Sequence, residues 1–483
     1  MKTEPVRPDV SRRAFFGTAL GSAAAAGLSL SFPKAASAGA ALPAHGLTNL
    51  IDDESAPEQL LSSLKGAFSF LDTMMDAYAS GPTIRLIQSY SDKLFAPFSP
   101  VAFTYDNAVA IQAYLARGTS DDLQRAQILG NGLIVAQATN FPINDGRFAQ
   151  AYYVNVPNSS GAFITPAAFP FFFYSSSVGD QAWTGMALAQ LYKHTRNAAY
   201  LNAAVNVANW IVTNTYDTAG AGGYRFGTNI DPSNQSVPST NGKSTEHNID
   251  TYAFFNMLAS LTHGGVASNG SSWSSLAQHA LVFVEAMFNS TGGFFYTGTD
   301  SDQITIATGN IPEDVQTWSY LALLNKTYGV SIDWVKTNLA TLDTPSCPLS
   351  ALKGNICVQG ETYATASLAS AGNDEHAVWL EGTAHTASAM LARRLSPQDD
   401  IGLFHGDLLT AFNLLQNIAL AQANLGEGQT VNGHAIPPGE GVTASTGNLD
   451  TGFGFNYFPD LHIGATGWFA LALLAKNPFQ LSS

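Results

Sequence analysis

The sequence predicts an all-α fold, an (α/α)6 barrel, that is, a toroid of six inner and six outer helices. Three observations carry this. Helical periodicity recurs in twelve segments that alternate between apolar all round and apolar on one stripe. The apolar segments have polar or aromatic heads, at Asp106, Asp180, Asp250, Asp314, Glu381 and Trp468, spaced 64 to 87 residues apart. Glycine- and aromatic-rich loops separate the pairs. A helix apolar all round must be buried, and one with a single stripe lies outside it. The repetition is one of structural role rather than of sequence identity. An open helical solenoid is the alternative, but six units of this size close on themselves.

In chain order, residues 57–78 form the first outer helix, with Pro57 at its start. The first inner helix begins Phe103-Thr104-Tyr105-Asp106, and Asp121 to Ala138 is an amphipathic partner. A loop with Asn144-Asp145-Gly146-Arg147-Phe148 follows. The second inner helix begins Gly179-Asp180-Gln181-Ala182-Trp183, with its partner over 198–214 and the loop Gly222-Gly223-Tyr224-Arg225-Phe226. The third begins Ser244-Thr245-Glu246-His247-Asn248-Ile249-Asp250. Ser244 or Thr245 caps it, and Glu246 and Asp250 share a face, four residues apart. Its partner covers 273–288, ahead of the loop Gly292-Gly293-Phe294-Phe295-Tyr296. The fourth begins Pro312-Glu313-Asp314, with a partner over 332–342. The fifth begins Val378-Trp379-Leu380-Glu381-Gly382, with a partner over 402–424. The sixth begins at Ile463 and includes Trp468.

The 483 residues are 46% hydrophobic and 12% charged, enough to bury a large core. A net charge of −15 excludes a basic nucleic-acid surface. At the N-terminus, Ser11-Arg12-Arg13-Ala14-Phe15-Phe16 resembles the twin-arginine export motif. An Ala-rich apolar run and Ala36-Ser37-Ala38 follow, an A-x-A cleavage pattern. Residues 1–38 are therefore expected to engage the twin-arginine export machinery and be removed near Ala38. That leaves 39–483 as one barrel domain in the periplasm or outside the cell. Losing five basic and two acidic residues takes the mature chain to −18. No later stretch is long and apolar enough to span a bilayer. Export makes Cys347 and Cys357, the only cysteines, an expected disulfide. Two cysteines alone make a poor metal site, and neither a metal nor a cofactor is expected.

In such a barrel the inner helices run parallel and their N-terminal heads line one cavity. Carboxylates with many aromatic side chains suit a carbohydrate, because ring faces pack on sugar C–H surfaces and carboxylates bond hydroxyls. Hydrolysing a glycosidic bond takes two carboxyl groups, one protonated and one ionised. Crowding acids in an apolar cup raises one pKa to that end. Glu246 is the first candidate for general acid; Asp106 and Asp180, each beside an aromatic (Tyr105, Trp183), are candidates for the base. Glu381 is a further catalytic candidate, with pairing to His385 as its structural alternative. Candidate substrate contacts are Asp250, His247, Tyr105, Trp183, Trp379, His376, Tyr457 in its Gly-aromatic loop, and Trp468. Arg147 and Arg225 would clamp a substrate carboxylate or else anchor their loops. Glu313 and Asp314 read as ordinary first-turn acids, and Asp374 and Glu375 as subsite candidates.

The heads, the Gly-Gly-aromatic loops and the stretches Ser244–Asp250 and Trp379-Leu380-Glu381-Gly382-Thr383-Ala384 resemble the six-hairpin glycosidase superfamily over 57–476. The resemblance implies a toroid with its cleft at the inner-helix N-termini, commonly hydrolysing glucans or uronic-acid oligosaccharides, often with inversion. The same barrel resembles sugar epimerases and polysaccharide lyases, so the fold leaves the reaction open. Those two, acting by proton removal next to a carbonyl through His or Tyr, are the alternative to hydrolysis.

Overall fold

The computed structural model describes residues 55–93, 100–140, 143–154, 157–165, 175–230, 236–238, 242–394 and 405–482. The expected export signal lies outside them. Twelve α-helices of more than one turn run through the described residues: α1 (Ser55–Asp76), α2 (Thr104–Arg117), α3 (Ser120–Ala138), α4 (Val178–Thr195), α5 (Ala198–Thr215), α6 (Thr245–Leu261), α7 (Trp273–Ala286), α8 (Glu313–Leu323), α9 (Val330–Asn338), α10 (Leu380–Arg394), α11 (His405–Asn424) and α12 (Ile463–Leu473).

The even-numbered helices form a closed ring. Each packs on the next, and α12 returns to α2. Each odd-numbered helix lies outside a partner: α3 on α2, α5 on α4, α7 on α6, α9 on α8, α11 on α10, and α1 on α12. The chain is therefore an (α/α)6 barrel. Sequence dictates the layering. The eleven residues of α12, Ile-Gly-Ala-Thr-Gly-Trp-Phe-Ala-Leu-Ala-Leu, are all buried and carry no charge. Outer α7 buries only Trp273, Leu276, Ala277, Ala280, Phe283 and Val284, one stripe of helical period. Loop hairpins of two to four residues per strand decorate the ends, with no closed sheet among the described residues.

The fourth outer helix departs from expectation. It ends at Asn338, and Ala340–Asp343 instead pairs antiparallel with Val358–Glu361. The alternation is inverted: Thr341 and Asp343 are buried, while Leu342 is half exposed. The expected disulfide is also absent. Each thiol is engaged within its own loop, Cys347 Sγ with Thr344 Oγ1 at 3.3 Å and Cys357 Sγ with the Asn355 carbonyl at 3.9 Å, and both cysteines are free.

The barrel axis is filled by tryptophans. Alternate inner helices α4, α8 and α12 each place one, Trp183, Trp318 and Trp468, as their sixth residue. Their ring centroids lie 5.1 to 5.8 Å apart. Phe479, from the segment after α12, packs against all three at 5.2 to 6.4 Å. That segment is fixed across the C-terminal ends of α4 and α8. Gln480 Nε2 donates to the carbonyls of Leu321 and Ala322, and Gln190 Nε2 donates to the carbonyl of Gln480.

Candidate active site at the inner-helix heads

Above the tryptophan floor, the helix heads converge. Local capping aims them. Ser177 Oγ accepts from Asp180 N at the start of α4 and donates to Asp180 Oδ2 at 2.7 Å. Ser244 Oγ accepts from His247 N at the start of α6. His462 caps α12, its Nδ1 accepting from Ala465 N. Two first-turn glycines make room for the crowd. A Cβ on Gly464 would sit 2.6 Å from Glu381 Oε2, 2.7 Å from His462 Cε1 and 2.9 Å from Asp106 Oδ1. A Cβ on Gly179 would sit 2.6 Å from His247 Cδ2.

Glu381 is the hub of a buried network. Tyr105 Oη donates to its Oε1 at 2.5 Å, and Trp468 Nε1 donates to Tyr105 Oη at 2.8 Å. His462 bridges Asp106, with Nε2 3.2 Å from Oδ1, and Glu381, with Nδ1 3.5 Å from Oε2. Tyr90 stacks on the His462 ring at 4.2 Å. His385 is held between Glu313, at 3.1 Å, and Glu381, at 3.7 Å. Thr386 Oγ1 donates to the other Glu313 oxygen.

These partners settle the charges. Burial alone would raise the Glu381 pKa, but His385, His462 and Tyr105 bring it below the usual range, so it is ionised. Burial would lower that of His385, but Glu313 and Glu381 raise it to about 9. His462 is raised against its burial, chiefly by Asp106. The trio Glu313–His385–Glu381 is thus a paired buried charge system.

The remaining acids have no such cation. Burial, then Asp314, Asp180 and Glu381, hold Glu246 well above the usual carboxylate range. Asp250, one turn deeper and fully buried, is held up by burial and then by Glu246. Burial raises Asp180 to about 7, with Ser177 opposing and Asp106 adding. Asp314 is likewise near 7, through burial and Glu313. Burial lowers His247 to about 4, so its 3.9 Å approach to Glu246 joins a neutral ring to a protonated carboxyl and is no ion pair.

Exposure separates the acids by role. Asp106, Asp250, Glu313, Asp314 and Glu381 are buried. Glu246 keeps 28% of its side-chain surface open, and Asp180 is also partly open. These two alone among the seven keep surface open to solvent. An aromatic wall of Tyr363, Trp379 and Tyr457 stands beside them, Tyr457 stacked on Trp379 at 5.8 Å and 20°.

The sequence-predicted residues therefore divide. Glu246, Asp106, Asp180, Glu381, Asp250, His247 and Tyr105 come together. Trp379 and Tyr457 form the wall; Trp183 and Trp468 lie in the buried floor. Three lie elsewhere. His376 is exposed on the outer loop before α10. Arg147 is buried against Asp145 and Thr228, and Arg225 donates to the Asn214 carbonyl, so both brace loops. Glu313 and Asp314 belong inside the cluster, contrary to their reading as ordinary first-turn acids. Sequence reasoning passed over Trp318, Tyr90 and Tyr363. Trp318 was findable, since it holds the same sixth position as Trp183 and Trp468. A wide recess of 790 Å³ between α3 and α5, lined by amides and one acid, Asp145, is remote from this chemistry.

No family model and no curated protein matches the chain. Among solved structures it resembles a D-mannose isomerase, at 11% identity and a TM-score of 0.56, over 88% of this chain and 99% of that one. A sugar epimerase from a ruminal bacterium is similar at 9% identity and 0.52, over 86% and 98%. A GH76 alpha-1,6-mannanase from Salegentibacter sp. HEL1_6 is similar at 12% identity and 0.50, over 86% and 100%. At these identities the likeness to all three is one of fold, the (α/α)6 barrel.

Proposed function

We propose that the chain is a glycoside hydrolase acting on a neutral polysaccharide or oligosaccharide, with Glu246 as general acid and Asp180 as general base. The observation that carries this is the partition of the acids. Two partly open carboxyls with raised pKa values stand among buried ones. Glu246, held protonated, is fit to give a proton to the leaving oxygen. Asp180, at about 7, is half ionised at neutral pH and fit to activate water, as an inverting reaction requires. Ionised Glu381, with Asp106, His385 and His462, fixes Tyr105 and places negative charge behind the pair, where it would favour an oxocarbenium-like transition state. Tyr363, Trp379 and Tyr457 suit a sugar platform. The engagement of Arg147 and Arg225 in loops favours a neutral over a uronate substrate, and hydrolysis over a lyase reaction. Export through the twin-arginine route, with the signal cut near Ala38, completes the reading. No helix of the described residues is long and apolar enough to cross a membrane.

A second reading, sugar isomerisation or epimerisation, is favoured by His247, a neutral ring beside Glu246 that is free to accept a proton from carbon. Incubation with a panel of neutral and acidic glycans and free sugars separates the readings. New reducing ends without unsaturation support hydrolysis. An unsaturated uronate, or an isomerised monosaccharide with glycans left intact, refutes it.

A further inference from the structure

Away from the acids at the helix heads, three side chains from two stretches of chain meet before α10. Asp343, Cys347 and Asp374 place a carboxylate oxygen, the Sγ and a carboxylate oxygen within 4.8 Å of one another. Asp343 is fully buried and Asp374 is 2% exposed. His376 N donates to Asp374 Oδ1 at 3.0 Å, but Asp374 Oδ2 has no hydrogen-bond partner. Four donors stand near Asp343: the Thr446 and Ser350 hydroxyls, Thr344 N–H and the Cys347 thiol. Yet neither Asp343 oxygen makes a hydrogen bond of regular geometry. Burying two neighbouring carboxylates with unmet oxygens costs several kcal/mol unless a proton or a cation joins them.

The surrounding chain gives up local stability to build this cluster. The strand Ala340–Asp343 turns Asp343 inward and Leu342 out, the reverse of the usual pattern. Leu349 adopts a left-handed backbone, at φ 63°. Gly447 keeps the space open: a Cβ there would lie 2.2 Å from Asp374 Oδ2 and 3.0 Å from the Leu349 carbonyl oxygen. A recess of 470 Å³ is lined by Pro348, Leu349, Gly372, Asn373, Glu375 and His376, the chain neighbours of Cys347 and Asp374.

We propose that Asp343, Cys347 and Asp374 form a binding site for a divalent transition-metal ion of zinc type. Two carboxylates and a thiolate match the oxygen and sulfur preference of zinc, and a thiolate disfavours calcium and magnesium. The fourth position falls to water or to the Leu349 carbonyl. Bond lengths of about 2.0–2.3 Å put ligand atoms roughly 3.3–3.8 Å apart, so the three side chains close slightly on the ion. On binding, the Cys347 thiol gives its proton to solvent, so uptake releases a proton. The ion ties the 343–347 turn to the Asp374 loop, and both already bond the 446–448 segment. Asp374 N already donates to the Asn448 carbonyl and Ala351 N to the Thr446 carbonyl, at 2.8 and 2.9 Å. These segments lead to Trp379 and Tyr457, so the ion braces the aromatic wall. The site also accounts for Cys347 facing the aspartates rather than Cys357.

The test is elemental analysis of the purified protein, then removal of metal with EDTA and calorimetric titration with zinc chloride and calcium chloride in two buffers of different ionisation enthalpy. One zinc per chain is expected, preferred over calcium, with proton release and a raised melting temperature. Cys347→Ser and Asp374→Asn should each weaken zinc at least tenfold and abolish the thermal shift. Cys347→Ser serves because Cys347 is only partly buried and a serine keeps the fold. Absence of zinc uptake by the wild type overturns the proposal. So does zinc binding unchanged in both variants, which would place the ion among the central acids, or preferential calcium binding indifferent to Cys347→Ser.

Discussion

Gly464→Ala isolates the crowding at the helix heads. In an ordinary helix this change stabilises by about 0.5–1 kcal/mol, because glycine loses more backbone freedom on folding. Gly464 lies in α12 without a positive φ, so nothing in its backbone forbids the gain. Its surroundings reverse the sign. The new methyl would stand under 3.0 Å from three groups, Glu381 Oε2, His462 Cε1 and Asp106 Oδ1. None is the loose end of an exposed side chain, since all three residues are buried and bonded to one another. Overpacking of this kind costs about 1–3 kcal/mol. The net expectation is a loss of about 0.5–2 kcal/mol, read as a lower urea midpoint at unchanged m-value. Gly406→Ala in α11 is the control. It is exposed with nothing within 4 Å of its Cβ, and should be neutral or stabilising. If Gly464→Ala stabilises as much as Gly406→Ala, the packed network of Asp106, His462 and Glu381 does not exist as described.

Glu246→Gln should cut kcat on the responsive glycan by about 10²–10⁴, with little change in melting temperature, because it removes a transferable proton while leaving the shape; retention of full activity would end its assignment as the acid. The kcat/KM profile should lose activity below an apparent pKa near 7, set by Asp180, and Asp180→Asn should abolish that limb. Stability should fall as pH rises. Asp180 retains in the folded state a proton that the unfolded chain releases near pH 4, so its contribution is lost between about pH 4 and 7, and that of the His385 proton between about 6.5 and 9. Melting temperatures that climb steadily from pH 5 to 9 would contradict both directions. Phe479→Ala should cost about 3–5 kcal/mol by emptying the space beneath the tryptophans, measured by chemical denaturation.

Much of the fold was legible because one period governs it. Apolar runs such as Ile463–Leu473 have nowhere to go but inside, and their heads recur at similar intervals. The fourth outer helix was misjudged at its end because Thr341 and Asp343 are polar residues buried on a strand, which no hydrophobic pattern signals. The site was half legible. Glu246, Asp180 and Glu381 stand at heads, where position alone marks them. Their division of labour depends on which acids meet a histidine. The pairing of His385 with Glu313 spans 72 residues, and that of His462 with Asp106 is set by ring closure between α12 and α2. Asp374 and Cys347 were likewise noticed singly, but nothing in their spacing announces that they meet.

The closed ring carries a kinetic cost. Helix α2 cannot find its last neighbour until α12, some 350 residues later, has been made and packed, so the final contact closes a very long loop. Until then the growing arc is a horseshoe with inner flanks of bare Ala, Leu and Trp at both ends. Such an arc is prone to stick to another copy of itself. The segment around Phe479 then acts as a latch, fastening to α4 and α8 as well as α12. Expression conditions that slow aggregation, rather than those that favour binding or turnover, should therefore decide how much native protein is recovered.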